Sequence, residues 1–539
     1  MMLRTELIAR LGSQSFDLLI IGGGIVGAGL ARDAAMRGLR VALIEQGDFA
    51  SGTSSKTSKL IHGGLRYLEQ GHVRLVSESL HERDVLRKIA PQLVWPTSLM
   101  LPVYRGDPRP RWKIAAGLTL YDWLAAHHAF KHHQMFSAQA VLRLEPRLNR
   151  TGLRGAGCYV DCQMDDARLC LANILQAIQF GAVCCNYVRV LALEKTGDRL
   201  SGALVEDRRS QRQFPVRASV IVNATGPWSD AIRRLSDKSA GTRIAPTKGI
   251  HLVVPRLTTH TFFLQLQRDR RMVFVLPWNQ DYTLIGTTES TAFDSLDELH
   301  AERDEVDYLL TEVNRTFPEA GLQASDVVAT FAGARPLLAF SGTSTAASRE
   351  HQIEVDRYGL VSIMGGKYTT YRVMAKQALD LIVKRWQLTA EPCLTDQVTL
   401  LEPTHAVVLD RWQEVVRRIP QELLARLLAQ YGTGAFRILQ LLEFEPGLAQ
   451  PLCQHHEVTQ AEFVYSLQEE LACTLSDLLI RRTKIALSSC QGLDMVSTLE
   501  DLLRRYGHVS QETIDDQLEE YRVWLANSLS FRPEPVRVW

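Results

Sequence analysis

The chain has 539 residues, and 61 Lys and Arg side chains nearly balance 60 Asp and Glu side chains, for a formal net charge of +1. With 46% hydrophobic residues, this composition is typical of a folded globular protein and excludes both an overall basic field for nucleic acid and an acidic disordered tail. The length suffices for about three domains. We therefore expect no nucleic-acid partner and expect any anionic ligand to be held by a few placed cations.

The first predicted elements form one βαβ unit. A strand, a glycine-rich turn, a helix and a second strand follow one another between residues 16 and 44. The turn has the G-x-G-x-x-G spacing of dinucleotide-binding sites, formed by Gly22, Gly24 and Gly27. Glycines there allow a tight turn and the approach of a pyrophosphate to the helix N-terminus. Glu45, which ends the second strand, is expected to accept a hydrogen bond from a ribose hydroxyl group.

The segment at 105–124 combines basic residues with an apolar helix that contains tryptophan. Its basic residues are Arg105, Arg109, Arg111 and Lys113. Such a helix either lies in a lipid interface or is an ordinary surface helix. Four histidines follow at 127, 128, 132 and 133. Because no carboxylate or cysteine lies at ligand spacing, we expect an exposed turn there and no metal site.

The longest run without charged residues, 169–188, has 20 residues but is interrupted by amides and by Gly181. We expect a buried helix followed by a strand rather than a membrane span. The N-terminus does not resemble a signal peptide, and nine irregularly spaced cysteines indicate no disulfide framework. These features favour a cytoplasmic location.

The glycine spacing alone does not distinguish NAD from FAD, and two later segments favour FAD. Ala224, Thr225 and Gly226 end an apolar strand, and a distant strand that returns to the nucleotide in this way is typical of FAD folds. Gly365 and Gly366 precede a helix whose N-terminus would stabilise negative charge on the pyrimidine ring of a reduced flavin.

The expected fold class is therefore α/β, with three domains. A Rossmann-type FAD-binding domain, at about 15–90, 155–230 and 350–390, is interleaved with a mixed-sheet substrate domain, at about 91–154 and 231–349. After residue 390 the strand patterns disappear, and possible capping boxes begin at Thr459 and Ser497. They predict a C-terminal all-helical domain over 391–539. Three roles are open for this domain: completing a homodimer, covering the mouth of the site, or binding a partner.

Six motifs in a fixed order carry a family resemblance. The longest, TSSKTSKLIHGGLRYL, begins at Thr53, and the others begin at Asp165, Asn223, Lys248, Gly333 and Gly365. Together they resemble the FAD-dependent (aerobic, respiratory) glycerol-3-phosphate dehydrogenases of the D-amino-acid-oxidase-like superfamily, over about residues 15–385. The resemblance implies FAD as the cofactor and oxidation of sn-glycerol 3-phosphate to dihydroxyacetone phosphate by hydride transfer to flavin N5.

The expected cofactor contacts extend beyond the first glycine turn. Thr53, Ser54 and Ser55 form a hydroxyl-rich loop that either binds the phosphate and ribitol of FAD or is a flexible polar turn. His62 and Gly64 would let the backbone approach the isoalloxazine ring. The full expected set is Gly22, Gly24, Gly27, Glu45, Thr53, Ser54, Ser55, His62, Gly64, Ala224, Thr225, Gly226, Gly365, Gly366, Lys367 and Thr369.

A phosphate monoester carries close to two negative charges, so a near-neutral protein needs local cations to bind it. The resemblance implies that the substrate pocket is lined by Arg66, Tyr67, His251, Arg335, Arg349 and Lys367. The expected catalytic residues are His251, Arg335 and Lys367. His251 is the preferred proton acceptor, with Lys367 as the alternative. The competing interpretations are a core histidine, a buried ion pair for Arg335 and an ordinary polar loop for Arg349.

The family reduces a membrane quinone, which implies peripheral binding to the inner face of the cytoplasmic membrane. Three alternatives remain open at this point. One is a glycerol-3-phosphate oxidase that uses O2, and another is a different FAD-dependent amine or alcohol oxidoreductase of the same superfamily. The third is a non-catalytic nucleotide-binding protein in which the helical tail is the working part.

Overall fold

The computed structural model describes residues 4–125, 131–339, 351–401 and 417–532. The described strands, numbered in chain order, are β1 (Ser15–Ile21), β2 (Val41–Ile44), β3 (Leu60–Ile61), β4 (Val94–Tyr104), β5 (Gln134–Phe136), β6 (Leu153–Met164), β7 (Val183–Cys185), β8 (Val188–Thr196), β9 (Arg199–Asp207), β10 (Arg212–Asn223), β11 (Thr247–Pro255), β12 (Thr261–Gln265), β13 (Met272–Trp278), β14 (Tyr282–Gly286), β15 (Ala329–Arg335), β16 (His351–Val355), β17 (Val361–Gly365), β18 (Pro451–Cys453) and β19 (His456–Thr459). The described helices are α1 (Arg4–Ser13), α2 (Ile25–Met36), α3 (Arg66–Glu69), α4 (Val73–Ile89), α5 (Arg111–Leu124), α6 (Ala138–Leu144), α7 (Asp166–Gln179), α8 (Ser229–Ser236), α9 (Arg303–Thr316), α10 (Tyr371–Trp386), α11 (Gln421–Tyr431), α12 (Ala435–Phe444), α13 (Gln460–Glu469), α14 (Val496–Tyr506) and α15 (Gln511–Ser528).

The first sheet is built around the predicted βαβ unit. β1 pairs in parallel with β2 on one side and with β10 on the other, and β17 continues the parallel set. The strand order is β16-β17-β10-β1-β2-β7, extended by the antiparallel pair β8–β9. Parallel strands are normally buried on both faces, which explains why the sequences of β1 and β2 are nearly continuous apolar runs.

The second sheet has the order β15-β11-β14-β13-β12-β4-β6-β3, with β5 paired to β6. It is mixed, as predicted, because β12 runs parallel to β4 while the other pairs are antiparallel. One boundary differs from the expectation. Residues 155–164 were placed in the FAD-binding domain, but they belong to β6, which needs β4 as its partner along nearly its whole length. The chain therefore leaves the second sheet only after Met164.

The charge-free run at 169–188 forms most of α7, followed by β7, as expected for a buried helix and strand. The apolar residues of α7 pack in the core of the first domain. Among the helices of the described ranges, none is both long enough and apolar enough to cross a bilayer.

The C-terminal region is helical, as predicted, apart from the short hairpin β18–β19. The first expected capping box is confirmed, since Glu462 N–H donates to Thr459 Oγ1 and the Glu462 carboxylate accepts from Thr459 N–H at 2.8 Å. The second is wrong. Ser497 lies inside α14, because a 3-10 turn at Leu493–Met495 leads directly into that helix at Val496.

A π-helical turn at Asp477–Arg482 joins this C-terminal region to the first domain. Arg481 and Arg482 both bind the buried carboxylate of Asp48, at 2.6 and 2.7 Å. Asp48 lies three residues after Glu45, so the tail is attached directly beside the end of β2. Because removing one partner of a buried ion pair leaves an uncompensated charge, these contacts hold the two regions in one arrangement.

Candidate active site

A cavity of about 650 Å³ lies where the two sheets meet. On one side its wall contains the turns that follow β1, β2, β10 and β17. On the other side it contains residues of β11 and β15 from the second sheet. Ligands of open α/β sheets bind beyond the carboxyl ends of the strands, so the first sheet offers the nucleotide site and the second sheet completes it.

The glycine turn after β1 has no room for side chains. Gly22 has a φ of +111°, and a Cβ there would lie 2.6 Å from the carbonyl oxygen of Ala224. A Cβ on Gly27 would lie 1.9 Å from the carbonyl oxygen of Gly22. Gly24 is the N-cap of α2, so the N-terminus of that helix opens at the cavity wall. This is the backbone cradle that a pyrophosphate requires.

Glu45 lies at the cavity wall and organises the backbone around it. Its carboxylate accepts hydrogen bonds from Gly23 N–H at 2.7 Å and from Gly47 N–H at 2.8 Å. Desolvation raises the pKa of this carboxyl group, although the two N–H donors oppose that effect. Glu45 therefore fixes the turns after β1 and β2, a role that the sequence did not suggest. Its contact with a ribose hydroxyl group stays a prediction.

The hydroxyl-rich loop forms a 3-10 turn, Thr53–Ser55. Ser54 Oγ accepts from Ile25 N–H at 2.9 Å, and Thr53 Oγ1 donates to the carbonyl oxygen of Ala334 at 2.6 Å. Both residues line the cavity, whereas Ser55 is not part of its wall within the described ranges. The carbonyl of Ser55 instead accepts a hydrogen bond from Lys59 Nζ. Hydrogen bonds to α2 and β15 thus hold this loop, and its contact with the phosphate and ribitol of FAD stays a prediction.

Two glycine-containing loops, one after β3 and one after β17, meet in the cavity wall. His62 N–H donates to Thr369 Oγ1 at 3.3 Å, which joins the loop after β3 to the loop after β17. Gly64 has a φ of +85°, and a Cβ there would lie 2.3 Å from the ring of Tyr67. Gly365 and Gly366 also have positive φ values, of 73° and 89°. Ala224, Thr225 and Gly226 after β10 complete this side of the wall.

His251, on β11, is buried at the second-sheet side of the cavity. Its Nε2 lies 2.9 Å from Ser58 Oγ, and its ring stacks on Phe331 with the centroids 4.9 Å apart. Burial, with smaller effects of Arg335 and Lys59, lowers the pKa of His251 well below its ordinary value. Its Nδ1 is buried without a hydrogen-bond partner among the described residues. Burial therefore favours the neutral imidazole, and Ser58 and Phe331 orient the ring.

The expected cations Arg66, Arg335 and Lys367 line the same cavity. Arg335 Nη2 donates to Thr287 Oγ1 at 2.9 Å and to the carbonyl oxygen of Thr288 at 3.1 Å. Lys367 Nζ lies 3.8 Å from the centroid of the Tyr67 ring and donates to Ser79 Oγ at 3.3 Å. The cation–π contact favours the charged ammonium group. Arg349 lies outside the described residues.

Several polar residues of the wall were missed as site residues, among them Lys56, Ser58 and Arg271. Ser58 and Lys56 belong to the long motif that begins at Thr53, and only the fold shows that they face the cavity. Desolvation, with a smaller effect of Arg481, lowers the pKa of Lys56 to about 8. Arg271 follows other charged residues in the sequence, and no motif there indicated a binding site. It donates to the carbonyl oxygen of Glu289 at 3.1 Å.

The profile of the FAD dependent oxidoreductase family matches residues 17–372, and the C-terminal domain of alpha-glycerophosphate oxidase matches residues 393–514. A glycerol-3-phosphate dehydrogenase of Synechocystis sp. is 36% identical over 533 residues, which cover 95% of this chain and 96% of the relative. The chain belongs to the family of FAD-dependent glycerol-3-phosphate dehydrogenases and oxidases. The aerobic glycerol-3-phosphate dehydrogenase of Bacillus subtilis is 35% identical over 498 residues, 89% of each chain.

A solved structure of this family, the glycerol-3-phosphate dehydrogenase of Bacillus halodurans complexed with FAD, covers 98% of both chains with a TM-score of 0.78 and 27% identity. FAD is the cofactor of the family. The residues of the present chain fit that cofactor, because Gly22 and Gly27 keep the pyrophosphate cradle free of side chains. The expected α/β fold with a helical C-terminal region is thereby confirmed.

Proposed function

We propose that the chain oxidises sn-glycerol 3-phosphate to dihydroxyacetone phosphate and passes the electrons to a membrane quinone. The observation that carries the proposal is a cavity wall that combines a buried histidine with Arg66, Arg271, Arg335 and Lys367. Guanidinium groups bind phosphate with two hydrogen bonds each, and a dianion needs more local cations than the carboxylate of an amino acid. The wall therefore favours a phosphorylated alcohol over the amino acids that related amine oxidases use.

The reaction removes a hydride from C2 of the alcohol and a proton from its hydroxyl group. When bound, FAD supplies the acceptor for the hydride. We assign the hydroxyl proton to His251, since burial favours its neutral form and Ser58 and Phe331 orient its ring. Lys367 would stabilise the negative charge that develops on the oxygen, and we assign Arg335 chiefly to the phosphate. We prefer His251 as the proton acceptor because the cation–π contact with Tyr67 favours the ammonium form of Lys367.

A second, smaller cavity supports the quinone as the acceptor. It has a volume of about 270 Å³ and an apolar wall that includes Leu101, Ile114 and Leu120. Leu65, Arg66, Phe263 and Met272 line both this groove and the main cavity. An apolar ring that entered the groove would thus reach the wall of the flavin cavity beside Leu65, Phe263 and Met272.

Helix α5 forms one side of the groove and supports contact with the inner face of the cytoplasmic membrane. Its outward face carries Trp112 and Trp123, which are 72% and 71% exposed. Exposed tryptophans are typical of a lipid interface. Arg109 and Lys113, however, form ion pairs with Glu69 at 2.8 and 3.0 Å. The apolar face, more than the basic residues, therefore carries the membrane proposal.

Stopped-flow reoxidation tests the electron acceptor. The enzyme is reduced with glycerol 3-phosphate under anaerobic conditions and mixed with either a short-chain ubiquinone or O2. We expect fast flavin reoxidation by the quinone and slow reoxidation by O2. Fast reaction with O2 and none with quinone would instead identify a glycerol-3-phosphate oxidase.

Vesicle co-sedimentation tests the membrane proposal separately. The double variant Trp112→Ala, Trp123→Ala should bind anionic phospholipid vesicles more weakly while its turnover with a water-soluble dye stays unchanged. Phe444→Ala is the matched control, because Phe444 is an equally exposed aromatic residue of the C-terminal region. Equal vesicle binding by all three proteins would exclude α5 as the lipid contact.

A further inference from the structure

The C-terminal region contains a cluster of two thiols and an imidazole that the proposed function does not use. Cys453 ends β18, His456 begins β19, and Cys490 lies in the loop before the 3-10 turn at Leu493–Met495. The ligand atoms of the three side chains all lie within 4.8 Å of one another. Cys453 is buried and the other two are half-buried, so the cluster can be reached from solvent.

The spacing of these atoms fits a tetrahedral metal site. Zinc binds sulfur at about 2.3 Å and nitrogen at about 2.0 Å, so neighbouring sulfur and nitrogen ligands lie about 3.5 Å apart. Cys490 Sγ lies 3.4 Å from His456 Nε2. The C-x-x-H spacing of Cys453 and His456 across the tight turn of the hairpin directs both ligands to one side. Thiolates and imidazole select zinc over magnesium or calcium, which prefer oxygen.

We propose that Cys453, His456 and Cys490 bind one zinc ion, with a water molecule as the fourth ligand. Binding replaces the two thiol protons by the metal and releases them to solvent, while the neutral imidazole contributes its lone pair, so no oxidant or reductant is needed. Ser488 Oγ lies 2.8 Å from His456 Nε2 and 3.4 Å from Cys490 Sγ. When the metal occupies Nε2, the serine hydroxyl keeps its hydrogen bond to the sulfur alone.

The position of the cluster indicates that the ion would stabilise the contact between the C-terminal region and the second sheet. The ion would connect the hairpin β18–β19 to the loop that carries Cys490, and this loop contacts the second sheet. Ser489 N–H donates to Tyr282 Oη at 2.9 Å, and Gln491 Nε2 donates to the carbonyl oxygen of Val328 at 3.0 Å. Zinc therefore holds the C-terminal region against the substrate domain, far along the chain from the glycine turn and the cations of the active site.

The test uses the full-length protein with FAD bound. After dialysis, elemental analysis should find about one zinc ion per chain. In competition with a chelator, Cys490→Ser and His456→Gln should each lower the zinc affinity by more than about 10-fold. Cys473→Ser is the matched control, since Cys473 is a half-buried cysteine of the same region that contacts Leu471 and Asn186 instead. It should retain the wild-type affinity.

Cobalt substitution provides a second readout on the unaltered chain. Tetrahedral Co²⁺ with thiolate ligands should give a thiolate-to-metal charge-transfer band and visible bands to the red of the flavin absorption. The flavin content of each variant shows whether it has folded, and where a variant has not, the cobalt spectrum of the wild type decides. Zinc affinity equal in the wild type and Cys490→Ser, or a cobalt spectrum without thiolate bands, would overturn the proposal. So would a Cys453–Cys490 disulfide in a protein that takes up no zinc after reduction.

Discussion

The two sides of the main cavity differ in the kind of group that forms them, which is backbone on the first-sheet side and side chains on the second-sheet side. On the first-sheet side, the backbone makes the surface, and Gly22 and Gly27 leave no space for even a Cβ. On the second-sheet side, side chains make the surface, with His251 stacked on Phe331 and Arg335 held by Thr287 and Thr288. A single methyl group should therefore destroy the cofactor side, whereas the substrate side can lose one chemical group at a time and keep its shape.

Gly27→Ala should have the largest effect. The new Cβ would lie 1.9 Å from the carbonyl oxygen of Gly22, and backbone cannot move aside as a flexible side chain can. We expect the affinity for FAD to fall by more than about 100-fold, which corresponds to about 2.7 kcal/mol. The ratio of flavin to protein after desalting measures it. Gly241→Ala is the control, because no heavy atom lies within 4 Å of its Cβ. Full flavin occupancy of Gly27→Ala would mean that the turn does not bind the cofactor.

His251→Asn should keep its FAD but lose turnover. Removal of a general base typically lowers kcat by about 10²–10⁴-fold. The change is measured from steady-state rates with glycerol 3-phosphate at saturation. His260→Asn, at a half-buried histidine outside the cavity wall, serves as the control. If His251→Asn turned over at a rate close to that of the wild type, Lys367 would be the better candidate for the proton acceptor.

Arg335→Ala should weaken substrate binding and leave the flavin in place. A hydrogen bond to a charged group contributes about 1.5–3 kcal/mol, so we expect KM for glycerol 3-phosphate to rise by about 10- to 100-fold. Arg335→Lys should recover only part of this loss because it lacks the two parallel donors. Arg243→Ala, which removes a surface arginine bound to Glu354, is the control. An unchanged KM in Arg335→Ala would refute the assignment of Arg335 to the phosphate.

Arg335→Ala should also show a smaller effect, in the pH dependence of kcat/KM. Burial comes first and the charge of Arg335 second among the causes that lower the pKa of His251. Below its pKa the imidazole carries a proton and cannot accept another, so kcat/KM should fall only at a pH below the ordinary histidine range of about 6.5. Removing Arg335 raises the pKa of His251 and should move this acid limb to higher pH. An acid limb at the same pH in both proteins would show that His251 does not control it.

The parts of the fold that the sequence predicted are those with a local signal. The βαβ unit was recognisable because buried parallel strands are continuously apolar and because the glycine spacing is short-range. The Thr459 capping box involves residues three apart and was also correct. The place of β6 was not predictable in this way, since its membership of the second sheet depends on β4, about sixty residues earlier.

The residues of the candidate site show the same difference between those that a local pattern identified and those that only the fold brings to the cavity. The glycines after β1 were identified from their spacing, whereas Arg271 reaches the cavity only because β13 pairs between β12 and β14. Ser55 shows the converse, because it belongs to the expected hydroxyl-rich loop but is not part of the cavity wall in the described ranges. The cluster at Cys453 and Cys490 joins residues 37 apart in the chain, so spacing alone did not reveal it.

The sequence by itself determined the cofactor cradle, the order of the family motifs and the helical character of the C-terminal region, because each depends on residues close together in the chain. Only the tertiary structure decided which side chains share the cavity with His251, what neutralises Arg109 and Lys113, and which cysteines meet. Those relations depend on strand order and on the packing of the two sheets, and a hydrophobic pattern specifies which face of a strand is buried but not which strand lies beside it.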